Sequence, residues 1–184
     1  MLFTEEEIQR RVRELGAAIT ADYRGRSPVL VSVLKGGAIF LADLFRAIDL
    51  PVRVDFMSIT SYGGGTRPSG VVRILKDLDQ DVGGEDVLVV EDIIDTGLTL
   101  SYLLTALRAR QPASLEVCTL LDKSARRIPP LDIRYRGFEC PDRFVVGYGL
   151  DHAERYRNLS MILSVGSQAE LDEDSSALGP FLGH

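Results

Sequence analysis

The stretch Val87–Thr99, VLVVEDIIDTGLT, decides how the rest of the chain reads. Apolar, mostly β-branched residues run into Glu91 and Asp92, two isoleucines follow, and Asp95 precedes Thr96-Gly97-Leu98-Thr99, where a helical spacing of leucines begins. This pattern is a buried strand, a tight turn and a helix N-terminus. In open parallel sheets ligands collect at the carboxyl ends of strands. This end offers backbone N–H groups, two hydroxyls and a glycine that admits a ligand closely, which together make a phosphate cradle. Three carboxylates beside it point to hydroxyl recognition, metal or proton transfer. Taken singly, Asp95, Thr96 and Gly97 read first as an ordinary turn with a helix cap. The adjacent Glu91-Asp92 does not, because burying charge without a partner costs several kcal/mol. The common nucleotide motifs GxxxxGK[ST] and GxGxxG are both absent.

Outward from this stretch the same theme repeats. Thr4 and Glu7 form a capping box, and Ile8, Val12, Leu15 and Ile19 follow at helical spacing. SPVLVSVLKGG reads as a strand ended by glycines, and AIFLADLFRAI as a helix with Ile39, Leu41, Leu44, Phe45 and Ile48 on its apolar side. VRVDFMSIT is a further strand. Beyond the opening stretch come a helix from about Leu98 to Arg110 and the strands SLEVCTLL, RFVVGYGL and SMILSV. Alternating strands and helices predict an α/β fold with a mostly parallel central sheet flanked by helices on both faces. Ser61–Gly70, SYGGGTRPSG, is the longest internal loop candidate, and Pro129-Pro130 marks a turn. No repeat of solenoid period is present.

The chain has 184 residues, the size of one domain, and 45% hydrophobic with 26% charged residues excludes disordered and collagen-like classes. Its formal charge is −6, but residues 168–184 hold four acids and no Lys or Arg, leaving residues 1–167 at −2. We therefore divide it into one domain, 1–167, and an acidic C-terminal tail, 168–184. The tail is expected to be partly mobile, with Leu178, Phe181 and Leu182 as the residues able to dock it. A near-neutral body argues against nucleic-acid or anionic-membrane partners, which need clustered Lys and Arg. No apolar run approaches the roughly 18 residues that span a bilayer, and the first residues are acidic rather than basic, so a cytoplasmic location is expected. Cys118 and Cys140 lack metal or redox spacing; Cys118 reads as buried packing and Cys140 as a loop thiol.

VVEDIIDTGLT resembles the phosphoribosyl pyrophosphate (PRPP) motif of the type I phosphoribosyltransferases, in the form EDIIDTG of their hypoxanthine-guanine branch. The likeness continues through SVLKGGAIFLADL, DFMSITSYG, LLDKSARR and FVVGYGLDHAERYRNL, and fades at the first few residues and after about Ser164. It implies a sheet domain with a small hood lobe, and transfer of a phosphoribosyl group from PRPP to N9 of a 6-oxopurine in purine salvage. By this resemblance Glu91 and Asp92 bind the ribose hydroxyls, and Asp95, Thr96, Gly97, Leu98 and Thr99 hold the 5′-phosphate. Asp95 is also the general base near purine N7. Lys35, Gly36 and Arg157 take pyrophosphate, with a cis peptide just before Lys35. Lys123 donates to the purine O6, Phe144 stacks on the base and Val145 reads its edge. Asp151 coordinates Mg²⁺ beside the base, with Glu91 and Asp92 as further oxygen donors. Ser61 and Tyr62 open a lid loop that excludes water from an electron-deficient ribosyl centre. A homodimer or homotetramer is also implied.

Each of these residues has a plainer reading. Lys35-Gly36-Gly37 is a strand-to-helix turn, Lys123 a surface lysine, Phe144 a core aromatic, and Asp151 and Arg157 solvated loop charges. Two other functions stay open at this point. One is a PRPP-sensing regulator of the same fold, which would need a basic nucleic-acid face; the other is a relative preferring xanthine, which differs from the other bases only at C2.

Overall fold

Strand β4 (Asp86–Ile94) is the apolar run of the opening stretch, and it lies at the middle of a six-stranded sheet. The computed structural model describes residues 1–62, 71–166, 178 and 181. β4 pairs in parallel with β1 (Val29–Leu34) on one side and β5 (Ser114–Asp122) on the other. The order across the sheet is β3-β2-β1-β4-β5-β6, with β2 (Arg53–Tyr62), β3 (Val71–Lys76) and β6 (Tyr135–Glu139) completing it. Every pair is parallel except β2 with β3. The expected α/β architecture is thus present, with one antiparallel edge.

Helices cover both faces, as continuous apolar strands require. Leu88 and Val90 of β4 face a core shared with Ile8, Val12, Leu15 and Ile19 of α1 (Glu5–Asp22) and with Phe40, Leu41 and Leu44 of α2 (Gly37–Ala47). Val87 and Val89 face the opposite core, with Leu100, Leu103, Leu104 and Leu107 of α3 (Leu98–Arg108). The alternation of side chains along β4 therefore sorts its residues between two compartments. At α1 the capping box is complete: Glu7 N–H donates to Thr4 Oγ1 at 3.2 Å and Thr4 N–H to Glu7 Oε2 at 2.9 Å.

Some expectations change. Ser61 and Tyr62 do not begin a loop; they end β2, paired with Val72 and Val71 of β3, and residues 63–70 of the expected lid lie outside the described residues. RFVVGYGL and SMILSV do not join the parallel sheet. They supply β7 (Phe144–Val146) and β8 (Leu163–Val165), a separate antiparallel pair that stands where the hood was expected. Cys140 is a loop thiol as expected, directly after β6, but a buried one that joins the α1/α2 core; Cys118 is buried as expected. Of the tail, Leu178 packs on Val146, Tyr156, Leu159 and Leu163, whereas Phe181 is exposed; Leu182 and most of 168–184 lie outside the described residues. Among the described residues no helix is long and apolar enough to cross a membrane.

Candidate active site

The carboxyl ends of β1, β4 and β5 and the segment after β7 enclose a cavity of about 620 Å³. Into it come Lys35, Gly36, Asp92, Asp95, Lys123, Phe144, Val145, Asp151 and Arg157, which are most of the residues singled out from sequence, together with Ile93. The Leu34–Lys35 peptide is cis, as the resemblance implies. A second cavity of about 240 Å³ adjoins it, lined by Glu91, Asp95, Thr96, Gly97 and Thr99, with Ile93 and Asp95 common to both. The alternation of β4 explains the division. Glu91 points with Val89 to the α3 side, while Asp92 points with Val90 toward α2, so the adjacent carboxylates do not share one cavity wall. Leu98, the first residue of α3, is exposed at the surface.

Asp92 sits tightly against the turn that begins α2. A Cβ built on Gly36 would fall 1.9 Å from Asp92 Oδ2, so only glycine permits this approach. Burial raises the Asp92 carboxyl to about 6; the N–H of Ile93, which donates to Oδ1 at 2.8 Å, and Arg157 oppose the rise, and the Asp151 carboxylate adds to it. Burial pushes Glu91 well above the ordinary carboxylate range, and neighbouring Asp92 pushes the same way. Each carboxyl thus carries unfavourable desolvation at its own cavity, where a hydroxyl donor or a cation would relieve it.

Gly97 is the N-cap of α3 at φ 80°, and a Cβ there would meet Leu131 Cδ1 at 2.7 Å and Arg127 Cδ at 2.8 Å. Both the left-handed backbone and the close packing require glycine. The turn Ser124–Arg126 that follows β5 lies against this loop, with Ile128 N–H donating to Thr96 O at 2.9 Å. Arg127 also pairs with buried Asp122, which Arg136 Nε meets at 2.6 Å. Lys123 stands between these anchors. Its N–H donates to Ile94 O at 2.9 Å, its side chain is 6% exposed, and its ammonium has no hydrogen-bond or ion-pair partner among the described residues. A cation held this way is aimed into the cavity as a donor.

At the opposite wall Asp151 Oδ1 lies 2.9 Å from Arg157 Nη2, and its Oδ2 accepts from Glu154 N–H at 2.9 Å. Arg157 Nη1 donates to Gly149 O at 2.8 Å. Lys35 Nζ reaches Glu154 Oε2 at 2.8 Å, and this contact holds the Glu154 carboxyl below its usual range. Phe144 lines the cavity and meets His152 in a T-shaped contact at 5.6 Å between ring centroids. Sequence reasoning missed Arg126, Asp142, Arg143 and Glu154. Arg126 Nε lies 3.0 Å from Asp95 Oδ1 and its Nη1 3.2 Å from Asp142 Oδ1, so the candidate base has a cationic neighbour. In the sequence Arg126 looks like an ordinary surface charge, and only the turn Ser124–Arg126 brings it to Asp95.

A sheet of this order with a cavity at its carboxyl ends defines an open α/β domain with its candidate site at the strand ends, and the comparisons name its family. The chain belongs to the phosphoribosyl transferase domain family, whose model matches residues 1–153. It is 55% identical over 168 residues to the hypoxanthine-guanine phosphoribosyltransferase of Mycobacterium avium, covering 88% of this chain and 83% of that one. It is 52% identical over 162 residues to the protein of the same name from Bacillus subtilis, covering 88% and 90%. Among solved structures, a Bacillus anthracis hypoxanthine-guanine phosphoribosyltransferase with a HEPES molecule in the active site matches with a TM-score of 0.86 and 49% identity, covering 89% of this chain and 96% of that one.

Proposed function

We propose that the protein transfers the 5-phosphoribosyl group of PRPP to N9 of a 6-oxopurine, hypoxanthine or guanine, giving the nucleoside monophosphate and pyrophosphate. The observation that carries this reading is Lys123, a buried unpaired cation facing the same cavity as Asp92, Asp95 and Phe144. An ammonium has donors and no acceptor, so it favours a 6-oxo over a 6-amino base. Relatives of this name at 52–55% identity over 88% of the chain support it independently.

In the reaction the bond between ribose C1 and the pyrophosphate oxygen breaks as N9 bonds to C1, through an oxocarbenium-like transition state. The proton on purine N7 passes to Asp95, which leaves the ring electrons free for N9. Asp92, with Glu91 behind it, accepts from the ribose hydroxyls, and the Thr96–Thr99 turn holds the 5′-phosphate at the start of α3. Lys35 and Arg157 bind the departing pyrophosphate, and Phe144 and the Val145 backbone orient the base. Catalysis is chiefly positioning and electrostatics.

No cluster of three or more His, Cys, Asp or Glu side chains that could hold a metal exists among the described residues. Asp151 and Asp92, which both line the cavity, would hold Mg²⁺ through their carboxylate oxygens, since hard cations take oxygen donors and keep several waters. When bound, the ion neutralises charge on pyrophosphate. By the family resemblance, the protein is proposed to work as a homodimer or homotetramer.

The test is nucleotide formation from PRPP and Mg²⁺ with hypoxanthine, guanine, xanthine and adenine in parallel. IMP or GMP should form, adenine should give none, and chelation with EDTA should abolish turnover. PRPP binding without turnover on any base would instead favour a regulator.

A further inference from the structure

Lys35 and Arg157 come from different elements, the turn between β1 and α2 and the loop between β7 and β8. One carboxylate meets both. Glu154 Oε2 lies 2.8 Å from Lys35 Nζ, and Glu154 Oε1 lies 3.4 Å from Arg157 Nη2. The loop that presents it holds Ala153, Glu154 and Tyr156 at φ 49°, 64° and 75°, a left-handed conformation that side chains other than glycine rarely adopt. Its backbone is tied as well, through the Glu154 N–H that donates to Asp151 Oδ2 at 2.9 Å. The side chains of Lys35 and Glu154 are otherwise open to solvent, 66% and 64% exposed.

We propose that Glu154 is an internal stand-in for the pyrophosphate anion. A carboxylate offers two acceptor oxygens and a negative charge, the features a phosphate group presents to the same cations. In the free protein Glu154 spans Lys35 and Arg157; incoming pyrophosphate, free or as part of PRPP, displaces it, and its return competes with the product. Arg157 keeps Asp151 Oδ1 at 2.9 Å and Gly149 O at 2.8 Å when Glu154 leaves, so the exchange changes Glu154's contacts without freeing the guanidinium. Glu154 is thus a positioning residue that sets how tightly the leaving group is held. The inference rests on the transferase reading and on Lys35 and Arg157 as its pyrophosphate ligands.

Product inhibition by pyrophosphate against PRPP, with Mg²⁺ present, reads the effect in the wild type, Glu154→Gln, Glu154→Gly and Lys35→Ala. Gln keeps the shape without the charge, and Gly fits the left-handed backbone. Both Glu154 variants should bind pyrophosphate about threefold to tenfold more tightly, the range expected for removing two exposed ion pairs. The KM for PRPP should fall with it, the purine KM should not move, and Lys35→Ala should bind pyrophosphate more weakly. A simple structural role for Glu154 would disturb both substrates alike. Pyrophosphate affinity unchanged or weaker in both Glu154 variants overturns the inference while leaving the transferase reading intact. A wild type that neither makes nucleotide nor binds pyrophosphate overturns that reading, and the inference with it.

Discussion

Asp92 illustrates at single-residue scale how the site works against the fold. Its carboxyl ionises near 3.8 ordinarily and at about 6 in the folded chain, raised first by burial. Between those values the folded state binds more protons than the unfolded one, so stability falls as pH rises through this window and the cost is fully present above about 6. Asp92→Asn removes the charge and should stabilise the protein at pH 7 by about 1–3 kcal/mol, while weakening PRPP binding. Urea midpoints at pH 7 and pH 4 check this: the advantage should be large at the first and nearly gone at the second. A variant less stable at pH 7 would mean that the Ile93 N–H and Arg157 outweigh burial. That Glu91-Asp92 would line a cavity was legible in the sequence, since an acidic pair has no reason to end an apolar strand. Which side each faces was hidden until β4 was placed between two helical layers. Arg126 and Glu154 were illegible, because each looks like an ordinary surface charge until folding sets it 3.0 Å from Asp95 or 2.8 Å from Lys35.

The elements divide into those that carry their own instructions and those that borrow them. Helix α1 has a complete capping box and an apolar stripe, and both were legible. Thr4→Ala should cost about 0.5–2 kcal/mol of stability with no change in turnover, measurable as a lower urea midpoint at constant slope. A loss of turnover at unchanged stability would instead tie the start of α1 to the site. Strands β3 and β6 gave no such signal. They are the two sheet edges, where charged residues such as Arg73, Lys76 and Arg136 interrupt the apolar pattern, and neighbouring strands supply the order that their own sequences lack. The pair β7–β8 was legible as strands but not as a separate sheet, because apolar runs carry no record of which partner they meet.

Over the whole molecule, the central sheet sets Lys35, Asp92 and Asp95 at the ends of β1 and β4, and the β7–β8 lobe brings Phe144, Val145, Asp151 and Arg157 over them. The cavity exists only where the two parts meet, and this explains why its residues span from Lys35 to Gly166. At the end of β4 the proton-transfer role is proposed for Asp95. Its most direct test is kcat with hypoxanthine for the wild type and Asp95→Asn, alongside the dissociation constant for PRPP. General-base assistance is worth roughly 10²–10⁴-fold, so kcat should fall by about that factor while PRPP affinity changes little. Full turnover in Asp95→Asn would contradict the account.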